Sequence, residues 1–196
     1  MIQSTTHEAK TQVRNLFFAL QPDESVALQL TRAAQQARAA KLFTGDGRPV
    51  HTHHLTLHFL GAHVVGMHGE FPAGLVLDAM AAANSVAFPP FEFIIDRIER
   101  LGRGERVPCV LRSAQGSDAA LRLFHETIGA AMRVAGLSCY LERRQFAPHV
   151  TLAYSGSEAE PLALAEPITW SVREFVLLES HVGRSLHNRL GAWPLA

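Results

Sequence analysis

The chain has 196 residues, 47% of them hydrophobic and 18% charged, and its 18 Lys+Arg balance its 18 Asp+Glu. That length and apolar content suit one domain with a sizeable core. Zero formal net charge excludes a general electrostatic grip on a long duplex through phosphate contacts, while leaving room for a local basic pocket that holds one or a few phosphates.

Residues 1–13 are polar, with no apolar segment behind a basic start, and predict a disordered tail ahead of a single domain over residues 14–196. No stretch approaches the length of a membrane span, so the expectation is a cytoplasmic protein, monomeric and without a membrane partner. Cys109 and Cys139 are too few for a disulfide framework. Both are expected as buried free thiols, with a disulfide between them left open.

The run from Asn15 to Leu20 stops at Pro22 and reads as a buried strand. Asp23 or Ser25 then caps a helix to about Leu42, with Leu30, Ala33, Ala34, Ala37 and Lys41 near one face. After a Gly45–Pro49 loop, Val50 to Leu60 is extended and Gly61 stops it. Leu75 to Ala83 predicts a second helix, and Phe91 to Ile98 and Val107 to Arg112 predict a hairpin around Gly102 to Arg106. Ser117 is the expected cap of the clearest helix, in which Leu121, Phe124, Ile128 and Met132 share a face up to Gly136. Leu137 to Glu142 and Pro148 to Tyr154 read as strands, Ser155 to Pro167 as a loop, and Ile168 to Glu179 as one long final strand before a Trp193-Pro194 tail. Hairpins mixed with helices, without regular βαβ alternation, predict an α+β fold.

One internal echo stands out. His54-Leu55-Thr56-Leu57 recurs about half a chain length later as His149-Val150-Thr151-Leu152, which points to two similar lobes. In a strand, alternate side chains share a face, so each copy presents one imidazole and one hydroxyl together and anchors its apolar residues behind them. A lone copy is weak evidence, because His and Thr are common in strands. Two copies in two extended segments are a strong signal.

Two facing imidazoles suit phosphoryl transfer without a metal. One takes a proton from the attacking oxygen and the other gives one to the leaving oxygen. In-line displacement puts those two oxygens on opposite sides of phosphorus. Thr56 and Thr151 are then candidate donors to the non-bridging oxygens.

The segments HLTLHFLG (His54 to Gly61) and FAPHVTLAY (Phe146 to Tyr154) resemble the two signatures of the 2H phosphoesterase superfamily. Within it, the chain is most similar to the RNA 2′,3′-cyclic phosphodiesterases, also called the 2′-5′ RNA ligase family, and the likeness extends to RNLFFALQPDE, FEFIIDRIERLGR and EFVLLES. The resemblance implies a bilobal α+β fold with two pseudo-symmetric lobes whose antiparallel sheets line a central groove. It implies hydrolysis of an RNA terminal 2′,3′-cyclic phosphate to a 2′-phosphomonoester, with His54 as proton donor and His149 as proton acceptor and no cofactor. It also implies possible joining or cleavage of 2′-5′ linkages, with RNA ends, including tRNA fragments, as partners. A small cyclic nucleotide or cyclic ADP-ribose phosphate is the alternative substrate, and a non-catalytic module for RNA ends or nucleotides is the alternative role.

Two positions depart from the family pattern. His58 stands where relatives often carry Arg or Lys; it shares the His54 face and is a candidate phosphate contact. Tyr154 stands where Arg is frequent, on the face opposite His149. Arg144, ahead of the second motif, is a candidate for phosphate or ribose, or else a solvated arginine. The cluster His51, His53, His58, His63 and His68 lacks metal-ligand spacing, strand alternation turns His51 and His53 away from His54, and no metal site is expected. Arg97, Arg100, Arg103 and Arg106 could track an RNA backbone but read better as a solvated hairpin. Phe91, Phe93 and Phe146 read as packing before base stacking, and His125 and His181 as structural.

Overall fold

The computed structural model describes residues 12–65, 70–102, 107–113, 116–155 and 160–196. Residues 1–11 of the expected tail, His68, Arg103 and Arg106 lie outside the described residues. Gln12 and Val13, by contrast, are already paired with Val65 and Val64. The elements in chain order are β1 (Gln12–Leu20), α1 (Glu24–Ala39), β2 (Leu55–Val65), α2 (Leu75–Asn84), β3 (Phe91–Arg100), β4 (Val107–Arg112), α3 (Ala119–Val134), β5 (Val150–Ser155), β6 (Leu162–Val172), β7 (Glu174–His181) and β8 (Leu186–Pro194). The strands form one antiparallel sheet of order β6-β3-β4-β5-β2-β1-β7-β8, giving the expected α+β fold.

The sheet has two halves. β8-β7-β1-β2 and β5-β4-β3-β6 are each knit by several paired residues per strand pair, whereas β2 and β5 share the single register pair Leu55–Val150. Each half contains the same chain unit: strand, helix, short 3₁₀ turn, motif strand. In one it is β1, α1, Val50–Thr52 and β2; in the other it is β4, α3, Ser138–Tyr140 and β5. This repeated unit is the physical source of the sequence echo.

One continuous core unites the halves, with Leu16, Phe18, Leu20, Leu55 and Leu57 joined to Phe93, Ile95, Leu111, Phe124, Val150 and Leu152. α1 starts where expected, Asp23 accepting from the Val26 N–H at 2.8 Å, and it buries Leu30, Ala33 and Ala37. Lys41 lies beyond the helix end, exposed and at φ 58°, so it is not part of the apolar face. Phe91 and Phe93 are core residues, the latter stacked on Trp170 at 5.4 Å. Cys109 is buried, which pushes its thiol pKa up to about 11, whereas Cys139 is exposed; both are free, so the expectation of two buried thiols holds for one of them.

Several expected boundaries move, each for a local reason. Val50–Thr52 is a 3₁₀ turn, so strand alternation does not govern His51 and His53. Leu137 to Glu142 is not a strand: after Gly136 turns left-handed at φ 79°, the chain coils through the Ser138–Tyr140 3₁₀ turn. The cap of α3 is Asp118 rather than Ser117, and its carboxylate pairs with Arg122 at 2.7 Å instead of a backbone N–H. The predicted loop and long last strand are replaced by β6 and β7, which part at Arg173 because β6 belongs to one half and β7 to the other. β6 tolerates Pro167 as a sheet edge, where a missing N–H costs no ladder bond. The expected tail is β8, the opposite edge, whose exposed polar residues hide its strand pattern.

Gly61 does not end β2. Leu60 and Gly61 together stand opposite Leu16 as a bulge, and the strand runs on to Val65. Gly61 sits at φ 108°, and a Cβ there would lie 2.9 Å from Nε2 of His63, whose ring donates to the Leu60 carbonyl. Gly61→Ala is therefore expected to cost about 1–2 kcal/mol. Urea denaturation checks this: the midpoint should fall with the slope unchanged.

Candidate active site

The two motifs meet at equivalent residues. Leu55 and Val150, the apolar residue inside each motif, are paired across the antiparallel β2–β5 junction and buried. Continuing that register sets His54 opposite Thr151 and Thr56 opposite His149, all on the face away from the core. A cavity of about 210 Å³ on that face is lined by these four residues, together with Arg48, Thr52 and Phe59, Asn15 and Phe17 of β1, Tyr154 of β5, Ser180 of β7 and His187 of β8. The four motif residues are thus brought together as the sequence predicts.

Each imidazole is held in the same way. Nδ1 of His54 is 2.8 Å from the Thr52 carbonyl, and Nδ1 of His149 is 2.8 Å from the Ala147 carbonyl, two residues back in both motifs. A carbonyl can only accept, so Nδ1 carries the hydrogen and the neutral ring keeps its lone pair on Nε2. The His54 ring is further packed by Phe17 at 4.8 Å and by the edge of His187 at 5.1 Å between ring centroids.

A matched bulge follows each threonine. The β1–β2 register slips between Ala19–Thr56 and Phe18–His58, leaving Leu57 without a partner. The β4–β5 register slips between Val110–Thr151 and Cys109–Ala153, leaving Leu152 in the same position. A one-residue slip reverses side-chain parity. Beyond each bulge, Phe59 and Tyr154 therefore join the threonines in the cavity.

Two sequence expectations change for that reason. Tyr154 faces the groove with His149 rather than away from it. His58 is turned out of the groove and buried, its Nε2 donating to the His125 carbonyl at 2.9 Å and its ring stacked on His125 at 4.0 Å. His125 stacks in turn on Phe146 at 3.9 Å, and Arg122 donates to the Phe146 carbonyl at 2.8 Å. This column of rings braces the first motif strand, α3 and the segment entering the second motif. His58 and Phe146 are thus packing groups, not phosphate or base contacts.

Arg144 is exposed and does not line the cavity. His51 reaches the Ser185 carbonyl at 3.1 Å, His53 is buried, and His63 is held by Leu60. Among the described residues, no group of three or more His, Cys, Asp or Glu is placed to share a metal ion. Arg97 pairs with Asp96 at 3.2 Å on the sheet rather than in the groove. A larger cavity of about 710 Å³ contains the Arg189–Glu174 ion pair but neither motif histidine.

Arg48 and His187 are site residues that sequence reasoning passed over. Arg48 sits in the loop ahead of the first motif, and its own motif signal is nil. His187 lies on β8, where no strand was predicted. Burial, aided by the charges of His187, Arg48 and His149, pushes the His54 pKa down from 6.5 to about 3, although its carbonyl partner opposes this. Burial and Arg48 bring His187 down to about 4. Both rings are therefore neutral at neutral pH.

A family model described as the 2′-5′ RNA ligase superfamily matches residues 16–184. The fold is similar to that of TT0787 of Thermus thermophilus, with 25% identity, a TM-score of 0.69, and coverage of 92% of this chain and 97% of that one. It is also similar to E. coli LigT in apo form, with 21% identity, a TM-score of 0.68, and 95% and 99% coverage. The crystal structure of E. coli LigT complexed with 3′-AMP matches with 23% identity, a TM-score of 0.67, and the same coverage. No curated protein sequence matches.

The lowered histidines fix a sign for pH dependence. A folded pKa below the unfolded value of 6.5 means the unfolded chain binds protons first as pH falls. Full stability is present above 6.5 and is lost progressively toward the folded values of about 3 for His54 and about 4 for His125 and His187. Tm should fall steadily from pH 6.5 to 5, and replacing His125 with Leu should flatten that slope in a thermal melt series.

Proposed function

The chain belongs to the 2′-5′ RNA ligase superfamily, and from that membership and the paired histidines we propose that it hydrolyses RNA terminal 2′,3′-cyclic phosphates to 2′-phosphomonoesters. The observation that carries this reading is the Leu55–Val150 pair, which sets two His-x-Thr motifs against each other over one cavity.

The cyclic phosphate sits between the two rings. His149 accepts a proton from water at Nε2, and the water oxygen bonds to phosphorus. The bond from phosphorus to O3′ breaks, and His54 gives its proton to that oxygen. The product keeps the phosphate on O2′ and has a free 3′ hydroxyl, and one proton has been taken up and one released. Thr56 and Thr151 donate to the non-bridging oxygens as negative charge builds there. Burial first, and nearby positive charge second, hold the His54 pKa down, and a phosphate anion beside the ring favours its protonated form. Proton and phosphate therefore enter His54's site together. With a 5′-hydroxyl in place of water, the same step bonds that oxygen to phosphorus as the bond to O3′ breaks, giving a 2′-5′ linkage and a free 3′ hydroxyl, and its reverse cleaves that linkage back to the cyclic phosphate. No step requires a metal.

E. coli LigT forms a complex with 3′-AMP, a nucleotide with phosphate on the ribose edge, which is consistent with nucleotide or RNA-end partners here. The chain's zero net charge favours a grip on the terminal phosphate over a grip on a long backbone, so cyclic mononucleotides or cyclic ADP-ribose phosphate form the second reading.

EDTA-treated protein incubated with a short RNA ending in a 2′,3′-cyclic phosphate should yield the 2′-phosphate. His54→Ala and His149→Ala should each lower kcat by at least about 100-fold. Turnover of 2′,3′-cyclic mononucleotides but not of the RNA would favour the second reading. Phosphate binding with no turnover of either at any pH would leave a binding module.

A further inference from the structure

Of all the arginine and lysine side chains among the described residues, only Arg48 lines the histidine cavity. Other arginines are held by carboxylates: Arg14 by Glu179, Arg97 by Asp96, Arg112 by Glu99, Arg122 by Asp118 and Arg189 by Glu174. No carboxylate among the described residues pairs with Arg48. Its charge instead falls on the histidines, lowering the proton affinity of His53, His54 and His187. A half-buried cation kept without a counter-ion is costly unless an anion arrives.

The backbone fixes where this cation stands. The Arg48 N–H donates to the Leu152 carbonyl at 2.7 Å, in the bulge of the second motif. Gly47 allows that approach, since a Cβ there would lie 3.2 Å from the same oxygen. Arg48 comes from the loop that leads into the first motif, so this bond ties its Cα to both motifs at once. A side chain placed in that way stays in register with His54 and His149 together. Tyr154 lines the same cavity.

We propose that Arg48 is the phosphate-binding cation of this site, the group that holds the negative charge of a phosphoryl oxygen between the two histidines. This rests on the reading of the cavity as a phosphoryl-transfer site and names the residue that matches its charge. The guanidinium forms two parallel N–H bonds to phosphate oxygens, and its hold tightens as charge builds in the transition state. Its charge also adds to burial in lowering the His54 pKa, and a bound phosphate offsets that part.

The test combines turnover of the cyclic-phosphate RNA, calorimetric binding of inorganic phosphate and NMR titration of His54. Arg48→Ala should lower kcat/KM by about 100-fold and weaken phosphate binding by at least about 10-fold. It should also raise the His54 pKa, which Arg48→Lys should not. Because the backbone bond to Leu152 survives, Tm should change little. Tyr154→Arg in the Arg48→Ala background should recover at least about 10-fold of the loss, because it returns a cation to the same cavity. Arg48→Ala with kcat/KM and phosphate affinity within about threefold of the parent overturns the proposal. So does a loss that neither Arg48→Lys nor Tyr154→Arg recovers, because charge is then not what was lost. If the parent turns over no cyclic phosphate, the functional reading fails, and phosphate affinity alone decides the role of Arg48. A parent that neither turns over the cyclic phosphate nor binds phosphate overturns both.

Discussion

A single antiparallel residue pair, Leu55 with Val150, is where the two halves of the sheet meet strand to strand. Because these residues are equivalent in the two motifs, their pairing relates the motifs by an approximate two-fold axis. Antiparallel geometry then makes each histidine face the other motif's threonine. Both side chains of the pair are buried, so the same contact that aligns the chemistry also closes the core beneath it. A slip of one residue would turn one imidazole into the core and one aliphatic side chain into the groove. Burial of Leu55, Leu57, Val150 and Leu152 opposes that slip, and apolar packing thereby sets the catalytic register.

The twin bulges extend this logic. Each places one extra leucine, Leu57 or Leu152, into the core and brings an aromatic side chain, Phe59 or Tyr154, to the cavity. On the first strand the bulge also buries His58, which stacks on His125 and through it on Phe146. On the second strand it presents the Leu152 carbonyl to the Arg48 N–H. Structure beside the motifs is therefore not symmetric, although the motifs are. One side is stiffened by a column of rings. The other is clasped by a loop that delivers the one cation lining the cavity among the described residues.

The electrostatics follow from that arrangement. Burial first and nearby positive charge second lower the pKa of His54 and His187, so both rings are neutral near neutral pH. A site of this kind responds to an anion rather than to bulk pH near neutrality. The overall charge balance of the chain makes the local cation matter more, since no long-range field draws in a phosphate.

Much of the site was legible because period-two alternation is a property of the residues themselves. His54, Thr56, His149 and Thr151 could be placed on one face from spacing alone, and β4 matched its expected limits at Val107–Arg112. Legibility ended at the bulges. An extra residue in one strand is visible only against its partner, so parity arguments misplaced His58 and Tyr154. Arg48 left no trace because its position depends on a loop bond to Leu152, across the chain. His187 was hidden because β8 is an exposed edge strand without an apolar rhythm. The strands β6 and β7 were merged because the crossing at Arg173 changes partners, not composition. A crystal structure of the protein with 2′-AMP bound tests the shared-groove claim most directly: the phosphate should lie between Nε2 of His54 and Nε2 of His149, within hydrogen-bonding reach of Thr56 and Thr151. A phosphate touching one histidine alone, or seated in the larger cavity beside Arg189 and Glu174, would contradict it.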